Sequence, residues 1–339
     1  MGIGISLSLL ASAVASEGGI GVVSSACLDR LLSKRNNKPY NTYEATYEEV
    51  SLAKAKGGLA GINIMVALIK DYDDSVKGAI DAGADVIISG GGLPLNLPNI
   101  MKPRDTALIP IVSSARALEL ICRKWERVGY RPDAVVLEGP LAGGHLGFKF
   151  EEINLESNKL ENLLPLVKEM SLQHGGFPVI VAGGIYTHDD IVRFLQMGAD
   201  GVQMGTRFLV TEESSATPAY KQAIIDANKE DILVAVNPGS PCGLPFMVVK
   251  KSPMFLTAIN GKRKPKCDKG YILSKDIDGQ FTKCSAKYNN EVSFCICNGL
   301  LSSAGYSQTE EPLYTVGVNG YRVDKLTTVK ALMDELKGS

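Results

Sequence analysis

Apolar residues follow two alternating rhythms along the chain. Short unbroken runs recur: GIGVVSS (19–25), GINIMVAL (61–68), DVIISGGG (85–92), ALIPIVSS (107–114), DAVVLEGP (133–140), PVIVAGG (178–184) and DGVQMGT (200–206). Stretches of helical period lie between them, at 5–17, 44–56, 73–83, 115–129, 159–173 and 188–197. Continuous apolar runs suit strands covered on both faces, and most of these runs leave through Gly, Ser, Thr or Pro. AGAD at 82–85 and MGAD at 197–200 carry a glycine where a helix stops before a strand begins. The pattern predicts seven parallel strands and a repeated βα unit.

Repeated βα units build either an open doubly wound sheet or a closed (β/α)₈ barrel. Seven strands do not close a barrel of eight. The chain opens on MGIG, a glycine-rich turn of the kind that follows a strand, so the expected first strand falls just upstream of Met1. The expectation is an α/β fold, a TIM (β/α)₈ barrel short of its first strand, with an open sheet as the alternative.

Charge and composition remove several function classes. A formal net charge of −1 gives no electrostatic footprint for nucleic acid or a membrane surface. The one concentrated charge, Lys262-Arg263-Lys264-Pro265-Lys266, is expected to be a solvated loop. SLSLLASAVAS near the start resembles a secretory signal but lacks a basic start, since the first basic residue is Arg30, and it reads as an inner helix. No run reaches the roughly 18 apolar residues of a membrane span. Seven scattered cysteines, an odd number, suit reduced thiols in a cytoplasmic protein.

Candidate chemistry collects at the predicted strand exits, where barrels place their ligand groups. Glycines cluster there at Gly90 to Gly92, Gly143-Gly144, Gly183-Gly184 and Gly205. GGIYTHDDI reads as a loop of bare amides leading into a helix N-terminus, a geometry that stabilises a phosphate. GPLAGGHLGF (139–148) sets His145, one of only three histidines, between glycines that let backbone approach a ligand closely. His174 and His188 read as surface or helix-start residues without a chemical role. Cys267, Cys284, Cys295 and Cys297 lack paired C-x-x-C spacing, so no metal site is expected, and 261–295 reads as a polar excursion above a barrel mouth.

LAGGHLG, PVIVAGGI and GADGVQMGTRFL, in that order and spacing, together with the tail around Asn319 to Lys325, resemble the nitronate monooxygenase family, whose relatives include flavin-dependent enoyl-acyl carrier protein reductases. The resemblance implies a TIM barrel with a smaller helical domain and FMN as cofactor. It implies 1–235 as the FMN-binding barrel and 236–339 as a cap whose C-terminal helix packs back on it. Gly2 would be the remnant of the family's first-strand turn. Asn63 would lie near the flavin ring, Gly143 along the isoalloxazine, Gly183 and Gly184 in the first phosphate loop, and Gln203, Met204, Gly205 and Thr206 in the second. His145 matches the histidine over the flavin that handles the proton next to the nitro group.

Two positions depart from that pattern. Glu138 stands where nitronate monooxygenases commonly have glutamine and the reductase branch has glutamate, and Leu146 stands where an arginine-like residue follows the histidine. Three readings follow: an FMN-dependent monooxygenase acting on alkyl nitronates with oxygen, an NAD(P)H-dependent enoyl-thioester reductase, or a flavin-binding protein without turnover. The expected partners are a small-molecule substrate, nitronate or enoyl thioester, with no nucleic acid and no membrane; a homodimer is compatible with the chain.

Overall fold

Seven short strands form one parallel sheet in the order β1 (Ile20–Ser24), β2 (Leu59–Met65), β3 (Val86–Gly90), β4 (Ala107–Val112), β5 (Val135–Glu138), β7 (Val179–Ala182) and β8 (Gly201–Gln203). The computed structural model describes residues 2–266, 274–275, 281–288 and 293–338. Six of the seven strands fall within the predicted apolar runs, and β2 overlaps its run of 61–68 but begins two residues earlier. Strict alternation divides their side chains between two cores: Val23, Ile62, Ile64, Ile87, Leu108, Val135, Leu137, Val179 and Val181 face the helices, whereas Val86, Ile88, Ile109, Val136 and Ala182 pack on the inner face of the curled sheet. The fold is α/β and TIM-barrel-like.

No pairing between β8 and β1 is recorded among the described residues. Ser25 donates its amide to the Asn63 carbonyl on β2, so the amide of Ser24 points the other way, and it donates to the Ser6 carbonyl at 2.9 Å. The Ser6 hydroxyl donates to the Val22 carbonyl at 2.6 Å, and the Ile5 carbonyl accepts from Ser215. Residues 5 and 6 therefore bridge the free edge of β1 to the segment beyond β8, without regular strand geometry.

Up to β8 the helices follow the predicted beat, with two additions, one of them a single turn. α1 (Ser8–Ser16) precedes β1, and two helices rather than one separate β1 from β2: α2 (Leu28–Asn36), which the periodicity did not predict, and α3 (Thr42–Lys54). Then come α4 (Tyr72–Asp81), the single turn α5 (Leu97–Ile100), α6 (Ala115–Glu126), α7 (Leu160–Gln173) and α8 (His188–Gln196). Gly83 and Gly198 end α4 and α8 as expected, their amides closing on the Ile80 and Leu195 carbonyls while Ala84 and Ala199 close on Ala79 and Phe194.

One device repeats at the N-terminal ends of the strands. Asp85, Asp133 and Asp200, each at the foot of a strand, accept from the amides of Ala60, Leu108 and Val179 on the preceding strand at 2.7–2.8 Å. These buttresses set register at the end of the sheet that carries no candidate chemistry, leaving the other end free to vary.

After β8 the chain makes α9 (Thr206–Leu209) and α10 (Pro218–Ile225) and then a hairpin, β9 (Ile232–Ala235) with β10 (Phe246–Val249). β10 also pairs with β6 (Gly144–His145), Phe246 opposite His145 and Met247 opposite Gly144, so the loop after β5 is stitched into a small antiparallel sheet. α11 (Pro253–Ile259), α12 (Ile296–Ser303) and α13 (Val329–Lys337) complete the chain, and α13 packs on α1 and α8.

The basic run at 262–266 is not uniformly solvated. Arg263 is buried, ion-paired to buried Glu310 at 2.9 Å, and donates to the Ser293 and Ala286 carbonyls. The segment expected to be a polar excursion is likewise buried in part, with Cys284, Ala286, Phe294 and Cys295 in the core. Cys297 is buried as well, and Cys267 lies outside the described residues.

Candidate active site

Parity carries three polar side chains to the mouth of the curled sheet. Asn63 lies between outward-facing Ile62 and Ile64, Glu138 lies two residues beyond inward-facing Val136, and Gln203 closes β8. Glu138 pairs in register with Ala182, and Ala182 with Gln203. None of the three side chains hydrogen-bonds to another described residue. Burial pushes the Glu138 carboxyl above the usual carboxylate range, because a charge there would lose its hydration.

His145 sits at the lip of this mouth, half-buried. Its backbone is held by the β6–β10 pairing, and its ring meets Phe246 edge-on with centroids 4.9 Å apart. Nε2 lies 2.6 Å from the Ser240 hydroxyl, while Nδ1 has no hydrogen-bond partner among the described residues. Desolvation lowers the imidazole pKa from 6.5 to about 4, so the ring is neutral at pH 7 and able to accept a proton.

The glycine loops make the third component. Gly183 and Gly184 both have left-handed backbone, with φ of 95° and 86°. A Cβ on Gly183 would stand 2.9 Å from the Gly139 carbonyl, so the loop admits no side chain there. Gly205 caps α9, and a Cβ placed on it would meet nothing within 4 Å, so its backbone faces open space. The amides of Gly184, Gly205 and Thr206 have no partner among the described residues. The helix start behind the first loop is another matter: Asp190 takes the amides of both Tyr186 and Thr187 at 3.0 Å in a capping box. Along GGIYTHDDI, therefore, the amides of Tyr186 and Thr187 are occupied rather than bare, because the helix caps itself.

A strap from the C-terminal region ties these loops together. Thr315 donates its hydroxyl to the Met247 carbonyl on β10. Gly317 donates to the Thr206 hydroxyl at 3.1 Å, Val318 to the Leu141 carbonyl, and the Asn319 side chain to the Gly184 carbonyl at 2.6 Å. Gly143 passes so close beneath the strap that a Cβ would stand 2.8 Å from the Gly317 nitrogen, which explains its glycine on packing grounds alone. Met204 packs on the outer core, and Gly2 opens the N-terminal turn that accepts from Ile5. His174 and His188 lie apart from the mouth, bonded to Glu126 and to the Leu336 carbonyl.

Ser240, Phe246, Thr315, Gly317 and Asn319 were not candidates from sequence. The tail around Asn319 was visible as a motif, but nothing local to it indicates that it meets Gly184, and nothing local to Ser240 or Phe246 indicates that they meet His145.

Polar groups and unpaired amides gathered at the carboxyl ends of parallel strands are the mark of an α/β-barrel enzyme. The chain belongs to the nitronate monooxygenase family, whose model matches residues 1–338, and whose members are oxidoreductases. Among curated relatives it is similar to a Bacillus subtilis protein named “Probable nitronate monooxygenase”, 28% identical over 67% of this chain and 69% of that one. A Staphylococcus saprophyticus protein of the same name is 31% identical over 49% of this chain, and the match spans 44% of that protein's length. Among solved structures, FabK from Thermotoga maritima superposes with a TM-score of 0.69 at 23% identity, over 98% of this chain and 88% of that chain. Nitroalkane oxidase from Streptomyces ansochromogenes superposes at 0.68 and 20% identity, over 100% and 93%. At those identities the two structures speak for the fold. No helix among the described residues is long and apolar enough to cross a membrane.

Proposed function

We propose that this protein is a cytoplasmic FMN-dependent nitronate monooxygenase, with 1–235 as the flavin-binding barrel and 236–339 as its cap. The observation that carries the reading is His145: a neutral imidazole at the mouth, one nitrogen held by Ser240 and the other without a protein partner. Family resemblance assigns this position to the residue that handles the proton beside the nitro group.

The mouth fits a mononucleotide. The Gly183-Gly184 and Gly205-Thr206 loops offer one set of unpaired amides for one phosphate, held in place by Asn319 and Gly317. Asn63, Glu138 and Gln203 are inward-facing groups for the ring system, and no G-x-G-x-x-G fingerprint for a dinucleotide occurs in the chain. When bound, flavin would take an electron pair from the substrate and pass it to oxygen. The work of the protein's own residues is to hold the phosphate on backbone amides, to orient the substrate beneath Phe246 and His145, and to receive the acidic proton of a nitroalkane at Nδ1.

A second reading, an NAD(P)H-dependent enoyl-acyl carrier protein reductase, is favoured by one observation: Glu138 stands at the mouth as a buried carboxyl that favours its protonated form. Extraction of the cofactor with identification by mass, followed by parallel assays of oxygen consumption on an alkyl nitronate and NADH consumption on an enoyl thioester, separates the readings. FMN with oxygen uptake is expected. NADH consumption without nitronate oxidation supports the reductase, and flavin without either activity supports a binding protein. A dinucleotide cofactor would overturn the phosphate assignment.

A further inference from the structure

We propose that Cys242 is a positioning residue for His145: its sulfur accepts the Ser240 proton, which holds His145 as the Nε2–H tautomer and leaves Nδ1 bare toward the mouth. The proposal rests on the reading of His145 as proton acceptor and adds to it which nitrogen reacts and what holds it ready.

The geometry is a chain of three side chains. His145 Nε2 lies 2.6 Å from Ser240 Oγ, and Ser240 Oγ lies 3.1 Å from Cys242 Sγ, with the Cys242 amide donating back to the same oxygen at 3.4 Å. A neutral imidazole has one ring proton to place. On Nδ1 it would have no protein acceptor among the described residues, whereas on Nε2 it finds Ser240 Oγ. The Ser240 oxygen then accepts from His145 Nε2–H and from the Cys242 amide, which fills both lone pairs. Its own proton must leave in another direction, and Ser240 is buried, so the acceptor within reach is Cys242 Sγ.

Reversing the chain gives the opposite chemistry. If Cys242 donated its S–H to Ser240, the serine would donate to Nε2, the ring proton would move to Nδ1, and the nitrogen facing the mouth would be a donor rather than a base. The direction of one thiol contact therefore decides whether His145 can take a proton from a neutral nitroalkane at all. When it does so, the substrate C–H proton moves to Nδ1, its electron pair stays on the nitronate, and the resulting imidazolium keeps its Nε2–H bond to Ser240.

The test uses flavin-loaded protein labelled with ¹⁵N-histidine, in which His174 and His188 serve as internal controls. In the wild type, His145 Nδ1 is expected to show the shift of an unprotonated nitrogen at pH 7. Cys242→Ala frees the Ser240 hydroxyl to turn toward Nε2, and losing one hydrogen bond should move the tautomer ratio roughly five-fold toward Nδ1–H. Flavin reduction by a neutral nitroalkane should slow by a similar factor, while reduction by a preformed nitronate should not. Cys242→Ser, which keeps an acceptor at that position, should restore both. A wild-type protein with Nδ1 protonated overturns the proposal, as does a Cys242→Ala variant with unchanged tautomer. The tautomer readout does not depend on turnover, so its result stands even if no variant oxidises nitronates, an outcome that would reject the proposed activity instead.

Discussion

On the proposed reading, His145 sets a proton-accepting nitrogen at the partly desolvated lip of the mouth, and two measurable consequences follow. His145→Ala should retain flavin, since the phosphate cradle is backbone, yet lose the proton-transfer step, worth roughly 10²- to 10⁴-fold. Stopped-flow reduction by nitroalkane should fall by about that factor, with reduction by preformed nitronate much less affected; equal rates for variant and wild type would make the residue structural. The second consequence concerns pH. The folded-state pKa is about 4 against 6.5 for an exposed histidine, so between those values the unfolded chain binds the proton that the native state refuses. This group's contribution to stability therefore rises with pH from about 4 to 6.5 and is flat above. The acid limb of kcat/KM should likewise fall near pH 4, and a limb near 6.5 would show that the imidazole is solvated.

Helices and loops around the mouth divide the labour between capping and binding. The capping box of α8 spends the Tyr186 and Thr187 amides on Asp190, and the proposed phosphate site after β7 rests on the backbone of Gly183 and Gly184. Gly184→Asp should abolish FMN retention. It forces a side chain onto backbone at φ 86°, places it against Leu141, and brings a carboxylate to a site built for an anion. Flavin absorbance of the purified variant is the readout, with circular dichroism to confirm that the sheet survives; normal absorbance would move the phosphate elsewhere. Gly184→Ala separates the effects, because it keeps the strain and removes the charge, and should retain part of the flavin.

Across the molecule, segments of the C-terminal region are held to one another by a buried ion pair as well as by apolar packing. Arg263 joins Glu310 to the Ser293 and Ala286 carbonyls, and Glu310 also accepts from the Lys266 amide. Glu310→Ala removes a buried carboxylate from the Arg263 guanidinium and should destabilise the fold by about 3–5 kcal/mol. Thermal denaturation followed by circular dichroism checks this. The double variant Arg263→Met with Glu310→Leu should lose far less, since both desolvation penalties disappear together; equal losses would show that the pair acts through packing.

The barrel-like sheet was legible because its cause is local. Unbroken apolar runs, helical periods and stop glycines are properties of 5 to 15 consecutive residues, and they placed seven strands and six helices near their observed positions. α2 escaped because its apolar face is only Leu28, Leu31 and Leu32 beside a charged run. The place of His145, Asn63, Glu138 and the glycine loops at strand exits followed from strand parity and from family resemblance. What holds them was invisible. Ser240 meets His145 across 95 residues and Asn319 meets Gly184 across 135, and no periodicity reports on such distances. Burial likewise belongs to the folded chain: it lowers His145, raises Glu138 and turns Arg263 from an apparent surface lysine-arginine run into an internal clasp. Local sequence determined which residues could carry the chemistry, because secondary structure and side-chain direction are short-range. Only tertiary packing decided their protonation and their partners, because desolvation and hydrogen bonding depend on segments that are far apart until the chain has folded.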